Sequence, residues 1–451
     1  MFASDLGRNS LRATPLGLLS NTLSRADEGW KFIEKPHLGH LVNWSSTRGA
    51  PIHRWHRYRE GYSAELIDAL NLGKRILDPF CGCGSILVGA ALRGLTATGI
   101  DLNPLAAFVA RVKTSPLTLV QRNEVRSFCA DLPHNLPNQA GHWMPDLSIA
   151  HKVFEPEILL TLLRIRAAIQ SAPIELISRN FLELCWISIL ETVGSYFKEG
   201  NGIKYRNVIR RSGRYIRRDE GSWQLKRFGT DHEAFVIDAF SAHLTMMIAD
   251  TSLWGESWGS AKVIEGNALD LVTLTHEEYD SIVFSPPYAN RFDYFESMKV
   301  ELWFGGFVKT ASDIRTLRKA SLRSHLSANM SRPKITFELL EELIGQMDQK
   351  SSSWRMGVPE LLRGYFSDIV EVLRQCRQRL RGGACHVVVG NSAFGGTIIP
   401  SDSLTAKAGQ IAGFSNIEIW VARHLTVSPQ QRSRLSGYEE YMRESVVVMR
   451  P

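Results

Sequence analysis

The chain has 451 residues, 44% hydrophobic and 22% charged, a composition ordinary for a soluble enzyme of two or three domains or of one large domain with insertions. Six cysteines, at positions 81, 83, 129, 185, 376 and 385, are too scattered for a disulfide framework, and no CxxC pair or Cys/His cluster suggests a metal site. A net charge of +7 permits a polyanionic partner, while the lack of a long uncharged apolar run and of a signal-peptide pattern points to a cytoplasmic protein with no membrane contact.

Residues 1–50 are polar and weakly patterned, and read as an arm or a few short helices on the body. From Pro51 the text is distinctive: His53-Arg54-Trp55-His56-Arg57-Tyr58 leads into an amphipathic segment, Ala64 to Leu70, with Ser63 as a plausible N-cap. Ile76-Leu77-Asp78 then reads as a strand, Pro79-Phe80-Cys81-Gly82-Cys83-Gly84 as a glycine loop, Ile86 to Arg93 as a helix and Thr96 to Asp101 as a second strand. This is a βαβ unit. Its glycines let backbone approach a ligand, and Asp101 stands at a strand tip where a carboxylate can bind both hydroxyls of a ribose. Leu87 occupies the place of the third glycine of a dinucleotide fingerprint, so Asp78 and Phe80 suit a cofactor without a pyrophosphate.

Between residues 116 and 255 the sheet pattern stops. Helical segments run from Glu155 to Ala172 and from Ile177 to Phe197, followed by a basic run. From Lys204 to Arg227 nine Lys or Arg face two acids, with Tyr205, Tyr215, Trp223 and Phe228 interleaved. Lys204, Arg210, Arg211, Arg214, Arg217 and Arg218 are candidate phosphate contacts, and the aromatics candidates for stacking on bases.

The sheet pattern resumes with Ala261 to Glu265 and the loop Gly266-Asn267-Ala268. Ile282-Val283-Phe284 follows as a buried strand stopped by Ser285-Pro286-Pro287-Tyr288, because neither proline can donate to a ladder. Phe295 to Phe307 reads as helical, and residues 308–356 as a smaller insertion whose basic stretch contains Arg323. Pro359 to Leu380 has the spacing of a long amphipathic helix, Ala384 to Ser392 that of a buried strand, and Asn416 to Ala422 with Ser445 to Met449 that of a closing antiparallel hairpin.

Together, the glycine loop, Asp101-Leu102-Asn103-Pro104, Glu265-Gly266-Asn267-Ala268-Leu269 and Ser285-Pro286-Pro287-Tyr288 resemble the successive motifs of S-adenosylmethionine-dependent amino-methyltransferases of DNA. The resemblance implies an α/β, class I (Rossmann-like) fold with a seven-stranded, mostly parallel sheet, split into 51–115 and 256–451, with 116–255 as a helical and basic insertion and candidate target-recognition region. It assigns Trp55, Tyr58, Asp78, Phe80, Gly82, Gly84, Asp101, Asn103, Asn267 and Ala268 to S-adenosyl-L-methionine, and Ser285, Pro286, Pro287 and Tyr288 to catalysis. It implies double-stranded DNA as substrate, a cognate restriction endonuclease as partner, and no metal.

Serine in the first position of the Ser-Pro-Pro-Tyr motif favours N4-cytosine over N6-adenine. Ser285 Oγ and the Pro286 carbonyl can accept from an exocyclic amine, freeing its lone pair for in-line attack on a sulfonium methyl. Tyr288 offers a face to a base that has left its duplex. An RNA base N-methyltransferase, and an inactive nucleic-acid-binding module on the same fold, are the alternatives.

Overall fold

The computed structural model describes residues 15–59, 61–137, 143–200, 202–211, 214–218, 220–331, 333–426 and 434–451. Its centre is an eight-stranded sheet of β1 (Lys31–Glu34), β2 (Arg75–Asp78), β3 (Thr96–Asp101), β4 (Ser260–Glu265), β5 (Tyr279–Phe284), β6 (Leu380–Gly390), β7 (Asn416–His424) and β8 (Arg443–Arg450). The spatial order is β1-β7-β8-β6-β5-β2-β3-β4. Every pairing is parallel except those of β8, which runs antiparallel to both β6 and β7. This is the class I methyltransferase sheet.

One expectation changes. The sheet has eight strands rather than seven, because Lys31-Phe32-Ile33-Glu34, in the segment read as an arm, pairs with Glu418-Ile419-Trp420-Val421 of β7. The C-terminal pair is antiparallel as expected, with β8 inside the sheet between β6 and β7. Its run Val446-Val447-Val448-Met449 is buried throughout, as a strand covered on both faces requires.

Side-chain alternation divides the core. Ile76, Val283, Val388 and Val446 join Ile86, Leu87 and Ala90 of helix α2 (Ser85–Leu92) on one face, as α1 (Pro15–Asp27) lies across the other. There Leu77, Ile282, Phe284, Val387 and Val389 meet the apolar stripe of a long helix, Val358–Arg379, and the helix Ser401–Ile411. Helix α3 (Pro104–Lys113) follows β3 and packs outward onto the insertion.

The 116–255 segment forms helices Leu119–Asn135, Pro156–Ser171, Leu176–Val193 and His232–Asp250. Their buried residues share one apolar cluster with Leu105 and Val109 of α3. The basic run folds into two antiparallel hairpins, Tyr196–Glu199 with Gly202–Tyr205 and Val208–Arg211 with Arg214–Arg217.

Candidate active site

The strand order reverses between β2 and β5, and a cleft opens at their carboxyl ends, where open α/β sheets bind ligands. Its wall includes Tyr58, Phe80, Asp101, Asn103, Asn267, Ala268, Ser285 and Pro287, and it encloses about 710 Å³, open solvent included. Four distant motifs thus meet on one surface. The loop's shape depends on Gly82 at φ +50°, where a Cβ would come within 2.8 Å of the Tyr58 ring.

Asp101 anchors the same loop. Its Oδ2 accepts from Gly82 N at 2.8 Å and its Oδ1 from Asn103 N at 2.8 Å. A carboxylate has about four acceptor sites, so further donors such as ribose hydroxyls can still be accommodated. Removal from water raises the carboxyl to about 6, with both backbone donors opposing the rise. Asn103 caps α3 through Leu105 N and reaches Met298 Sδ. Asn267 accepts from Leu269 N and donates to Ala320 O at 2.7 Å, tying the loop after β4 to the second insertion.

Three assigned residues stand elsewhere. Trp55 is fully buried: Asp250 receives its indole N–H at 3.0 Å together with Ile52 N and Arg54, and its ring packs edge-on to Phe181 and Trp254. The Asp250 clamp turns Trp55 into the core shared with the insertion, away from the cleft. Asp78 lies beneath the loop, accepting from the Tyr62 hydroxyl at 2.7 Å and from Phe80 N, and burial raises it to about 7. It shapes the loop from behind, as Gly84 does at φ +82° against Ala110 of α3.

Ser285 and Tyr294 also line a second cleft, with Pro286, Tyr288, Trp44, Arg59, Asn290, Arg423 and Glu444. The Ser-Pro-Pro-Tyr turn is therefore the partition between two chambers. Tyr288 Oη donates to Glu444 Oε1 at 2.9 Å, and Glu444 is held in turn by Arg423 Nε at 2.5 Å. The Ser285 hydroxyl carries two lone pairs that can accept. Desolvation, reinforced by the Glu444 carboxylate, pushes the phenol well above its usual range, so Tyr288 stays protonated.

Sequence reasoning missed Trp44, Glu444 and Arg423 in the second cleft and Ser321 and His325 in the first. His325 Nε2 lies 2.9 Å from Ser321 Oγ, and its Nδ1 has no partner among the described residues. Glu444 left one signal, a carboxylate two residues before the apolar run Val446–Met449.

The proposed nucleic-acid residues divide. Arg211, Arg214 and Arg218 are exposed on or beside the outer hairpin, and Lys204 is exposed and paired with Glu199 at 2.7 Å. Arg210 and Arg217 lie on the same hairpin, but their side chains lie outside the described residues. Arg323 is not a free cation: it is 8% exposed, and Nε and Nη2 bind Asp368 at 3.0 and 2.6 Å while Nη1 donates to Ser331 O. The stacking reading fails for three aromatics, since Phe228 is buried and Tyr205 and Trp223 pack against the insertion core.

Among the described residues no group of His, Cys, Asp or Glu is arranged to hold a metal, and no helix is long and apolar enough to cross a membrane. No family model matches the chain. The chain is 24% identical to the Type II methyltransferase M.BsoBI of Geobacillus stearothermophilus, over 90% of its own length and 87% of that protein's. It is 22% identical to the Type II methyltransferase M.AvaI of Nostoc sp., over 84% and 82%. A solved rRNA methyltransferase, aviRa from Streptomyces viridochromogenes, aligns over 88% of this chain and 84% of that one with a TM-score of 0.26 and 10% identity.

S-adenosylmethionine is the cofactor of this fold, and the first cleft suits it: a glycine loop that backbone can approach, a carboxylate with acceptor capacity at a strand tip, and apolar walls from Phe80 and Pro287. Over most of its length the chain is thus similar to type II methyltransferases.

Proposed function

We propose that the protein methylates the exocyclic amine of a base flipped out of double-stranded DNA, with N4 of cytosine preferred to N6 of adenine. The observation that carries this reading is Ser285, which borders both clefts at the carboxyl end of its strand.

S-adenosylmethionine, when bound, supplies an electrophilic methyl group on a sulfonium. Asp101 accepts from the ribose, Phe80 covers an apolar face, and Asn103, Asn267 and Ala268 border the rest of the cofactor. In the second cleft the amine donates its hydrogens to Ser285 Oγ and the Pro286 carbonyl. Its nitrogen lone pair is thereby withdrawn from the ring and aimed across the partition. Pro287 and Pro286 hold the turn rigid, and Tyr288, its hydroxyl pinned by Glu444, presents a face to the base. Ser285 acts as an acceptor and not as a nucleophile, since among the described residues no His, Lys or carboxylate is hydrogen-bonded to its hydroxyl.

The 116–255 insertion is our candidate for target recognition, with Arg211, Arg214 and Arg218 holding the DNA backbone. A restriction endonuclease reading the same sequence is the expected counterpart of such methylation. Incubation of unmethylated genomic DNA with labelled S-adenosylmethionine, followed by nucleoside mass spectrometry, tests the reading. N4-methylcytosine is expected. N6-methyladenine would move the target to adenine, and label in a parallel RNA sample but not in DNA would overturn the substrate class.

A further inference from the structure

A third cleft lies beside the other two. It shares Tyr58 with the first, and Trp44 and Gly61 with the second. Arg48, Arg54, Arg57 and Lys113 line it, and no Asp or Glu does among the described residues. The acids that pair with Arg54 and Arg57, Asp250 and Glu191, stand outside this wall.

Two of its groups are buried and short of partners. Lys113 is 2% exposed, and Nζ donates to His53 O at 3.1 Å with no carboxylate beside it among the described residues. His56 is 5% exposed. With Nδ1 turned to Ser188 Oγ at 3.0 Å, the Nε2 edge is left for the cleft, and it has no partner among the described residues. Ser85, the first residue of α2, lines the same space, so the free N–H groups of that helix's first turn add positive potential.

A buried cation such as Lys113 is costly without a counter-charge, and structures normally pair it. Here the pairing is left to something that enters. We propose that this cleft is an anion site taking a phosphodiester of the DNA backbone beside the nucleotide whose base enters the second cleft. The proposal rests on the DNA reading above. The walls shared with the second cleft, Trp44 and Gly61, put the site next to the one proposed for the flipped base. Burial and the nearby Lys198 and Lys113 push His56 well down, and burial lowers Lys113 to about 8; a seated phosphate opposes both shifts.

The test compares the wild-type enzyme with Arg48→Gln, Arg57→Gln and Lys113→Gln in labelled methyl transfer to unmethylated bacteriophage DNA across a range of salt. Each variant is expected to raise KM for DNA about tenfold and to flatten the log–log salt dependence of kcat/KM by about 0.9 for each phosphate left unneutralised. KM for S-adenosylmethionine is expected to change less than about twofold, a split that a merely structural role would not produce. An unchanged DNA KM and salt slope overturns the proposal. So does a rise in KM for S-adenosylmethionine alone, which would assign the cleft to the cofactor's carboxylate. If Lys113→Gln fails to fold, the exposed Arg48 and Arg57 still decide the matter. Anisotropy with a labelled duplex separates the two readings: a wild type that binds duplex but transfers no methyl group sinks the enzymatic reading, while the variants' binding still judges the cleft.

Discussion

Tyr288 Oη donates to Glu444 Oε1 across 2.9 Å, joining the turn after β5 to the start of β8. The bond fixes the tyrosine ring in the wall of the second cleft. Tyr288→Phe keeps the ring but leaves Glu444 to Arg423 alone. A loss of about 1.5–3 kcal/mol is expected for a hydrogen bond to a charged partner. It should appear as a roughly tenfold or greater fall in kcat with cofactor affinity retained, read by steady-state transfer and calorimetry. A wild-type kcat in Tyr288→Phe would show that the phenol–carboxylate bond does not help to place the base.

Ser285→Ala removes the acceptor and leaves the two clefts in place. By analogy with the loss of one preorganised transition-state partner, kcat should fall about a hundredfold or more. S-adenosylmethionine binding, measured in the absence of DNA, should stay near wild type.

Asp101 gives a pH signature. Its carboxyl is raised to about 6, so it takes up a proton as pH falls through that value. The neutral acid is a poorer acceptor for two ribose hydroxyls, and cofactor affinity should therefore be flat above about pH 7 and decline below about 6. Asp78, raised to about 7, titrates in the same region. Calorimetry on Asp101→Asn and Asp78→Asn separates them: the first should be weak and nearly independent of pH, the second should retain the decline near 6.

Replacing Arg211, Arg214 and Arg218 with Ala should lower the slope of log affinity against log salt by about 0.9 for each phosphate no longer neutralised, with little effect on folding. Arg323→Ala should do the reverse. It strands Asp368 in the interior, at a cost of about 3–5 kcal/mol in denaturant unfolding, and leaves the salt slope unchanged.

The contrast between these arginines shows what local sequence can convey. The β2–α2–β3 unit and the Ser-Pro-Pro-Tyr turn were legible because their chemistry is written in consecutive residues: an apolar run, glycines, an acid at a strand tip, two prolines. The long helix Val358–Arg379 announced itself by period. Arg323 and Trp55 were misread because their partners, Asp368 and Asp250, lie 45 and 195 residues away, and a basic or aromatic letter looks the same whether it faces water or a buried carboxylate. Strand β1 was invisible for a related reason: four residues carry too little alternation, and their pairing with β7 is decided by the far end of the chain. Glu444 and Arg423 reach the second cleft only because β8 starts and β7 ends beside it.

The short β1 strand has a further consequence. Without it, β7 would present the unpaired N–H and C=O groups of Glu418 to Val421 along the rim of the sheet, a template for pairing with another chain. The same stretch of chain runs on to Trp44 in the wall of the second cleft. One N-terminal segment thus shields the sheet from self-association and helps to build the chamber for the base, so a change that loosens β1 would reach solubility and substrate handling together.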